Sequence, residues 1–338
     1  MLELRTITEQ NEYSSYWQKL NGHLLQSWEW GIIKGPQWQP LRLAVFDGEE
    51  LVSILSVLKR TSSGITFGYV PKARVEKTHE QQIWELLQKQ KLGMDFLLFE
   101  FDEPDVSASS FLTKLPEYDY SVQPRWTNRI DLARTPDHLW SGLKGSYRRN
   151  INKSERQGVK ITAHDTGTLA LDQFYDVMKD IFANTKFVMH GKAYFEKVWQ
   201  YLGGRMARIY LAEAAGRIVG AYFVAYDNDT AYELYGGVTK AGRDVEAGYL
   251  LKWKAILGAQ ELGKTTYDHW GIAPRDKTGA YDPRHELASI SSFKAGFGGT
   301  EVSFLPTRAL VHNPLKFTLF KALNSLHKVS IQLRKLGK

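Results

Sequence analysis

Two stretches in which a polar, glycine-containing turn interrupts apolar runs match each other in order. Leu43-Ala-Val-Phe-Asp-Gly-Glu-Glu-Leu-Val52 leads into Ser-Ile-Leu-Ser-Val57, and Leu211-Ala-Glu-Ala-Ala-Gly-Arg-Ile-Val219 leads into Gly-Ala-Tyr-Phe-Val224. Each reads as a strand, a tight glycine-containing turn and a second apolar strand, the pattern of a β-hairpin. Each follows a helical, aromatic-rich segment (positions 13–30 and 171–202) and precedes another strand (65–70 and 231–237). The shared order predicts two copies of one α+β unit. A further strand-like run reaches glycine at position 271 in Tyr267-Asp-His-Trp-Gly-Ile-Ala273.

The boundary between the copies is expected near positions 124–132, where a Pro-Arg-Trp turn gives way to Asn128-Arg-Ile-Asp-Leu132. Thr135-Pro-Asp137 starts a helix, with Thr135 as N-cap and Pro136 at N1. Trp140, Leu143, Tyr147 and Ile151 recur at spacings of three and four and predict one apolar face on a single helix. Beside that face run Lys144, Arg148, Arg149, Lys153 and Arg156, read either as a solvated basic face or as a binding surface. A last helix opens at Asn313-Pro314, with Leu319, Leu323, Leu326 and Leu333 as its apolar stripe and Lys316, Lys321, Lys328, Arg334, Lys335 and Lys338 on its polar side. That helix either packs back onto the first domain or makes a peripheral contact with an anionic membrane.

Composition narrows the chemistry. At 338 residues the chain is long enough for two domains, and 13% aromatic with 24% charged residues describes a folded protein. The absence of cysteine removes disulfides, thiolate zinc sites and cysteine nucleophiles together. Nine histidines include no HExxH pair, so no metal is expected. No signal peptide and no apolar run long enough to span a bilayer is seen, which predicts a cytoplasmic protein. A net charge of +7 and a pI near 9.2 favour a polyanionic partner.

The helix–hairpin–strand order resembles acetyltransferase folds. Such enzymes bind coenzyme A pyrophosphate on a glycine-rich turn entering a helix. The corresponding place here is Thr239-Lys-Ala-Gly-Arg-Asp-Val-Glu-Ala-Gly248, where Val245, Glu246 and Ala247 interrupt the glycines and Glu246 repels phosphate. Acetyl-CoA is therefore disfavoured as donor, and no cofactor is expected. No GxSxG motif or P-loop supports a covalent acyl-enzyme or an ATP-driven ligase. What remains is direct attack of one bound substrate on another, with the protein supplying position and charge. The candidate for that charge is Lys294, in Ser292-Phe-Lys-Ala-Gly-Phe-Gly-Gly299, a lone cation among aromatics and glycines. It reads either as an oxyanion device in a tight pocket or as a strand-end lysine beside a Phe. Asp268 and His269 are near it in sequence but alternate onto opposite strand faces, and neither is identified as a general base.

Gln26-Ser-Trp-Glu-Trp-Gly-Ile-Ile-Lys34, Arg129-Ile-Asp-Leu132, Leu143-Lys-Gly-Ser-Tyr-Arg-Arg-Asn-Ile-Asn-Lys153, Tyr235-Gly-Gly237, Tyr267-Asp-His-Trp-Gly271 and Phe293-Lys294 together resemble the Fem family of aminoacyl-tRNA-dependent peptidoglycan bridge-forming transferases. The resemblance runs through nearly the whole chain and fits the compact members that lack a coiled-coil arm. It implies an α+β fold of two tandem acetyltransferase-like (GNAT-like) domains with mixed sheets flanked by helices. Residues 1–132 with 306–338 would form the first domain and 133–305 the second. The implied activity moves an amino acid from aminoacyl-tRNA to the stem-peptide amine of a peptidoglycan precursor, UDP-MurNAc-pentapeptide or its lipid-linked form, by a monomer. A related N-acyltransferase with another activated donor, and a non-catalytic RNA-binding protein, stay open as alternatives.

By motif, Lys34 resembles the lysine that contacts the precursor's phosphates. Tyr69 resembles the aromatic of a Tyr-x-Pro-Arg-Gly-Pro stretch lining the substrate groove, with Lys72 standing in for its Arg. Tyr235 resembles an acceptor-site tyrosine, and Asp268 is grouped with these substrate contacts. An arginine common in the family is Asn184 here, with Lys186 nearby, three residues before the aligned Phe187. Lys294, with the Phe293 backbone, resembles the pair facing the aminoacyl ester. Arg148, Arg149, Lys153 and Arg156 are the expected tRNA contacts.

Overall fold

The computed structural model describes residues 1–183 and 189–324. The chain divides into two units, Met1–Gln123 with Phe304–Lys338, and Pro124–Ser303. The strand containing Arg129–Asp131 thus belongs to the second unit, because it pairs with that unit's strands; the boundary at 132 expected from sequence moves to 123.

The first unit contains strands β1 (Leu2–Thr6), β2 (Gln39–Asp47), β3 (Glu50–Ser62), β4 (Ile65–Ala73) and β5 (Phe96–Phe101), with helices α1 (Gln10–Lys19), α2 (Trp28–Lys34), α3 (Glu80–Gln90) and α4 (Ser110–Lys114). β1 to β4 are antiparallel and β5 runs parallel to β4. The β2–β3 hairpin turns at Gly48, whose φ of +61° suits glycine. Period-two alternation divides β5: Leu97, Phe99 and Phe101 join a core with Ile83 and Leu87 of α3, while Phe96 and Leu98 join a second core on the other face.

The second unit begins with β6 (Trp126–Asp131), α5 (Pro136–Gly142), α6 (Gly145–Arg156), β7 (Lys160–His164), α7 (Thr168–Phe182) and α8 (Lys192–Leu202). It continues with β8 (Ala207–Ala214), β9 (Arg217–Tyr226), β10 (Thr230–Val238), α9 (Lys240–Asp244), α10 (Ala247–Glu261), β11 (Thr266–Gly271), α11 (Ala288–Ala295) and β12 (Thr300–Ser303). Its sheet order is β12-β6-β11-β10-β9-β8-β7, with β10 and β11 parallel and every other pair antiparallel. The β8–β9 hairpin has Ala215 and Gly216 both at positive φ, the backbone a two-residue hairpin loop requires. On β9, Tyr222, Val224 and Tyr226 face a core shared with α6 and α10, while Phe223 packs against Phe174 of α7 and Trp199 of α8.

β13 (Arg308–Val311) pairs antiparallel with β5 in the first unit's sheet. A final helix, α12, covers positions 314–324 and starts at Asn313, whose side chain accepts from Lys316 N (3.2 Å). The two units repeat one plan: four antiparallel strands, a parallel fifth, and an antiparallel strand beyond it.

Two sequence expectations need correction here. The single helix expected through Trp140, Leu143, Tyr147 and Ile151 is broken: α5 ends at Gly142 and α6 starts at Gly145, with Leu143 and Lys144 extended between them. Leu143, Tyr147 and Ile151 are nonetheless buried together, because the break preserves the inward direction. On α12 the inward face is Phe317 and Phe320, which pack edge-on and tilted against Phe96 (5.0 and 4.8 Å between centroids), whereas Leu319 and Leu323 are 50% and 43% exposed. Leu326, Lys328, Leu333, Arg334, Lys335 and Lys338 lie outside the described residues.

Candidate active site

Backbone pairing between β10 and β11 runs from Thr230↔Thr266 to Tyr232↔Asp268 and stops, although β10 continues to Val238 and β11 to Gly271. The two strands part there, and Glu233, Lys252, His269 and Lys294 gather at the opening. Lys294 lies in the last turn of α11, a helix residue rather than the strand-end residue considered from sequence. Its Nζ donates to the Gly271 carbonyl at 2.7 Å. Gly271 is required by packing: a Cβ there would stand 2.6 Å from Leu287 Cδ1 and 3.0 Å from Pro124 Cγ. Gly296 is likewise a packing residue, since a Cβ on it would enter the Tyr147 ring. The glycines after Lys294 thus seat α11 against its neighbours.

Phe293 builds the aromatic wall, with ring centroids 5.2 Å from Tyr249, 5.3 Å from Phe297 and 6.0 Å from Tyr147. Burial pushes the Lys294 amine down to about 8. The Glu233 charge opposes the fall, Lys252 adds to it, and Asp268 opposes it. Lys294 is therefore a buried amine that titrates near neutrality.

Asp268, grouped with the substrate contacts from sequence, is 2% exposed and bonded internally. It accepts from Thr127 Oγ1 (2.5 Å), Arg129 Nε (2.8 Å) and Trp270 N (2.8 Å). These bonds tie β6 to β11 across the irregularity between Asp268 and Gly271 and hold Trp270 at φ +60°. Asp268 is an anchor of the strand end that carries the Lys294 acceptor.

Sequence reasoning missed the residues on the opposite face of β11. Lys252 of α10 is completely buried, and its Nζ donates to both oxygens of Glu233 on β10 (2.6 and 2.7 Å). Tyr267 Oη donates to Glu233 Oε2 (2.8 Å), and His269 Nδ1 stands 3.3 Å from Lys252 Nζ. Burial, then the charges of Lys252 and Lys294, hold His269 well below its ordinary range, so the imidazole is neutral. The available signal was one acid and one base set in apolar runs, Glu233 after Ala231-Tyr232 and Lys252 between Leu251 and Trp253.

The remaining expected site residues are dispersed. Tyr235, half-buried on β10, has its hydroxyl 3.1 Å from that of Tyr194 on α8 and packs edge-on to Phe195 (5.1 Å). In the first unit, Lys34 closes α2 with Nζ 4.7 Å from the Trp30 ring centroid. Tyr69 and Lys72, expected to line a groove, are instead 5% and 4% exposed. Tyr69 Oη donates to Glu100 Oε2 (2.5 Å), and Lys72, at φ +47°, rests 3.3 Å from the Phe304 ring centroid. Gln26, two residues before the Trp-Glu-Trp motif, is a structural bridge: its side chain donates to Pro71 O (2.5 Å) of β4 and accepts from Ser56 N (2.6 Å) of β3.

Among the basic residues of α6, Arg148 is occupied with capping α5, its Nη1 donating to the carbonyls of Ser141 (2.9 Å) and Leu143 (2.5 Å). Lys153 pairs with Glu246 (3.2 Å), while Arg149 and Arg156 are exposed. Glu246 stands left-handed at the start of α10 (φ +55°), where a phosphate-binding turn would have placed glycine. Asn184, Lys186 and Phe187 lie outside the described residues.

A family model described as an acetyltransferase (GNAT) domain matches residues 141–278. No curated protein matches the sequence. Among solved structures, FemX superimposes with a TM-score of 0.82 at 16% identity, over 94% of this chain and 100% of that one. L-PGS from Bacillus licheniformis gives 0.57 at 13% identity, over 93% and 96% of the two chains. A tandem GNAT protein from the clavulanic acid biosynthesis pathway gives 0.55 at 14%, over 93% and 99%. The fold is a tandem acetyltransferase-like α+β fold, similar to that of FemX across its length. The family match supports an acyltransferase.

Proposed function

We propose that this protein is a Fem-type aminoacyltransferase. It moves an amino acid from aminoacyl-tRNA to the side-chain amine of the stem peptide of a peptidoglycan precursor, UDP-MurNAc-pentapeptide or its lipid-linked form, and so builds the interpeptide bridge. The observation that carries this reading is Lys294, a buried ammonium bonded to the Gly271 carbonyl at the end of β11, beyond the point where β10 and β11 part.

In the reaction the precursor amine attacks the ester carbonyl of the aminoacyl-tRNA. A C–N bond forms, the C–O bond to the terminal ribose breaks, and the amine proton ends on the departing ribose oxygen. Negative charge develops first on the carbonyl oxygen, then on the ribose oxygen. A desolvated ammonium stabilises both far better than a hydrated one does. His269 is a weak base here, because burial and Lys252 hold its imidazole well below the ordinary range and its Nδ1 faces the Lys252 ammonium.

Two features favour a tRNA-borne donor over acetyl-CoA. Glu246, paired with Lys153, stands where pyrophosphate would need bare backbone N–H groups. Arg149 and Arg156 present exposed positive charge on α6, suited to a phosphate backbone. In this reading the enzyme is cytoplasmic, monomeric and free of cofactors. Leu315, Leu319 and Leu323, exposed at successive i, i+4 positions of α12 beside Lys316, supply a peripheral contact with an anionic membrane.

The test is incubation with charged tRNA and UDP-MurNAc-pentapeptide, followed by mass spectrometry. A gain of one amino-acid residue that RNase abolishes supports the reading. An RNase-insensitive acyl gain points to another donor, and tRNA retention without product points to an RNA-binding protein; either overturns it.

A further inference from the structure

The Glu233–Lys252 pair has no evident purpose as a stabiliser. Two fully desolvated charges gain from each other about what they lose in leaving water, and a well-packed apolar pair at the same place typically serves stability as well or better. Its position is more informative. Glu233 and His269 are the first residues on β10 and β11 beyond the last backbone pair, Tyr232↔Asp268. Lys252 Nζ reaches both, bonding the Glu233 carboxylate at 2.6 and 2.7 Å and standing 3.3 Å from His269 Nδ1. One ammonium thus spans the rung at which the strands separate.

The same ammonium touches the ring system that seats α11. It lies 5.4 Å from the Phe293 centroid and 5.8 Å from that of Phe297, on either side of Lys294 in sequence. Lys294 in turn bonds Gly271, the last residue of β11. The strand opening, the aromatic wall and the Lys294 acceptor are therefore mechanically joined through one buried pair.

The geometry points to Glu233 and Lys252, with His269 and Tyr267, as the positioning element for Lys294: they fix how far β10 and β11 part and set the charge balance in which the Lys294 amine works. The inference rests on Lys294 as the acyl-transfer cation, and its test reads Lys294 directly as well as turnover. The ionisable groups that act on that amine are Glu233 on β10, Lys252 on α10, Asp268 on β11 (bonded to Arg129 of β6) and His269 on β11; Tyr267 bonds Glu233, and Tyr147 of α6 and Tyr249 of α10 pack on the adjacent Phe293. Glu233 opposes, and Lys252 reinforces, the downward push of burial on Lys294.

The experiment is a pH titration by NMR of protein labelled with 13C at lysine Cε, the Lys294 signal being assigned by its loss in Lys294→Met. Glu233→Gln is expected to move the Lys294 midpoint to lower pH, and Lys252→Met to move it to higher pH, each by about half a unit or more, equivalent to threefold or more in the protonation equilibrium. Opposite displacements are not produced by a loss of packing. Because breaking one partner of a buried pair strands the other, the double variant Glu233→Gln/Lys252→Met is included; it strands neither charge and is expected to lower the midpoint, Glu233 being the stronger influence. Unchanged midpoints in folded variants overturn the inference. The break in the pH profile of kcat/KM is expected to move with the midpoint. If the midpoint moves and turnover does not, the role of Lys294 in acyl transfer fails and its positioning by the pair stands.

Discussion

If the Lys294 ammonium stabilises the transition state, the pH profile of kcat/KM carries its signature. The amine sits at about 8 because burial outweighs the pull of Glu233 and Asp268, so about nine-tenths of it is charged at pH 7 and about one-tenth at pH 9. The acceptor works in the opposite sense: a lysine-type side-chain amine, with an ordinary value near 10.4, must lose its proton to attack, and its neutral fraction grows about tenfold per pH unit. The product of the two terms rises with unit slope to about pH 8 and is then flat. By pH 9 the measured value falls about tenfold below the extrapolated rise. Lys294→Arg keeps its charge throughout this range, so its profile rises without the break, at whatever absolute rate the larger head group permits. The assay is initial-rate transfer from charged tRNA at sub-saturating precursor, corrected for ester hydrolysis measured without enzyme at each pH. An unbroken wild-type rise through pH 9, or the same break in Lys294→Arg, refutes the reasoning.

Other consequences test separate parts of the account. Arg149→Glu/Arg156→Glu reverses exposed charges of α6 without touching the Arg148 cap; the apparent constant for aminoacyl-tRNA should rise steeply with little change for the precursor, and equal effects on both would remove the assignment. Gly296→Ala forces a methyl into the Tyr147 ring; a loss of about 1–3 kcal/mol in urea unfolding is expected, and wild-type stability would contradict the packing described. Leu319→Ser/Leu323→Ser changes two exposed residues of α12; co-sedimentation with anionic vesicles should weaken while that with zwitterionic vesicles stays negligible, and undiminished binding would move the contact elsewhere.

The parts of this fold that local sequence encodes were legible. The Thr135 cap, with its side chain accepting from His138 N, follows from the Thr-Pro pair alone. The two hairpins follow from paired apolar runs around a glycine-containing turn. The features that escaped depend on partners distant in the chain. Lys252 and Glu233 are 19 residues apart in different elements, and each looks like an isolated charge until the sheet brings them within 2.6 Å. Helical periodicity through Leu143 concealed a break sustained by Arg148, whose guanidinium closes the carbonyls of the preceding helix. On α12 a leucine stripe outscored the phenylalanines that pack, because spacing marks a face without saying which neighbour awaits it. Tyr69 and Lys72, assigned by motif, make contacts the motif does not announce, with Glu100 and Phe304.

The central claim is that the buried Lys294 ammonium drives transfer from an aminoacyl ester on tRNA to a peptidoglycan-precursor amine. The most direct measurement is single-turnover transfer to UDP-MurNAc-pentapeptide from a mixture of charged tRNAs, comparing wild type with Lys294→Met at pH 7. The account predicts a product heavier by one amino-acid residue, abolished by RNase, formed about 100- to 1,000-fold more slowly by the variant while precursor binding measured by calorimetry is largely retained. Near-normal transfer by Lys294→Met, or acetyl transfer from acetyl-CoA in place of aminoacyl transfer, would contradict it.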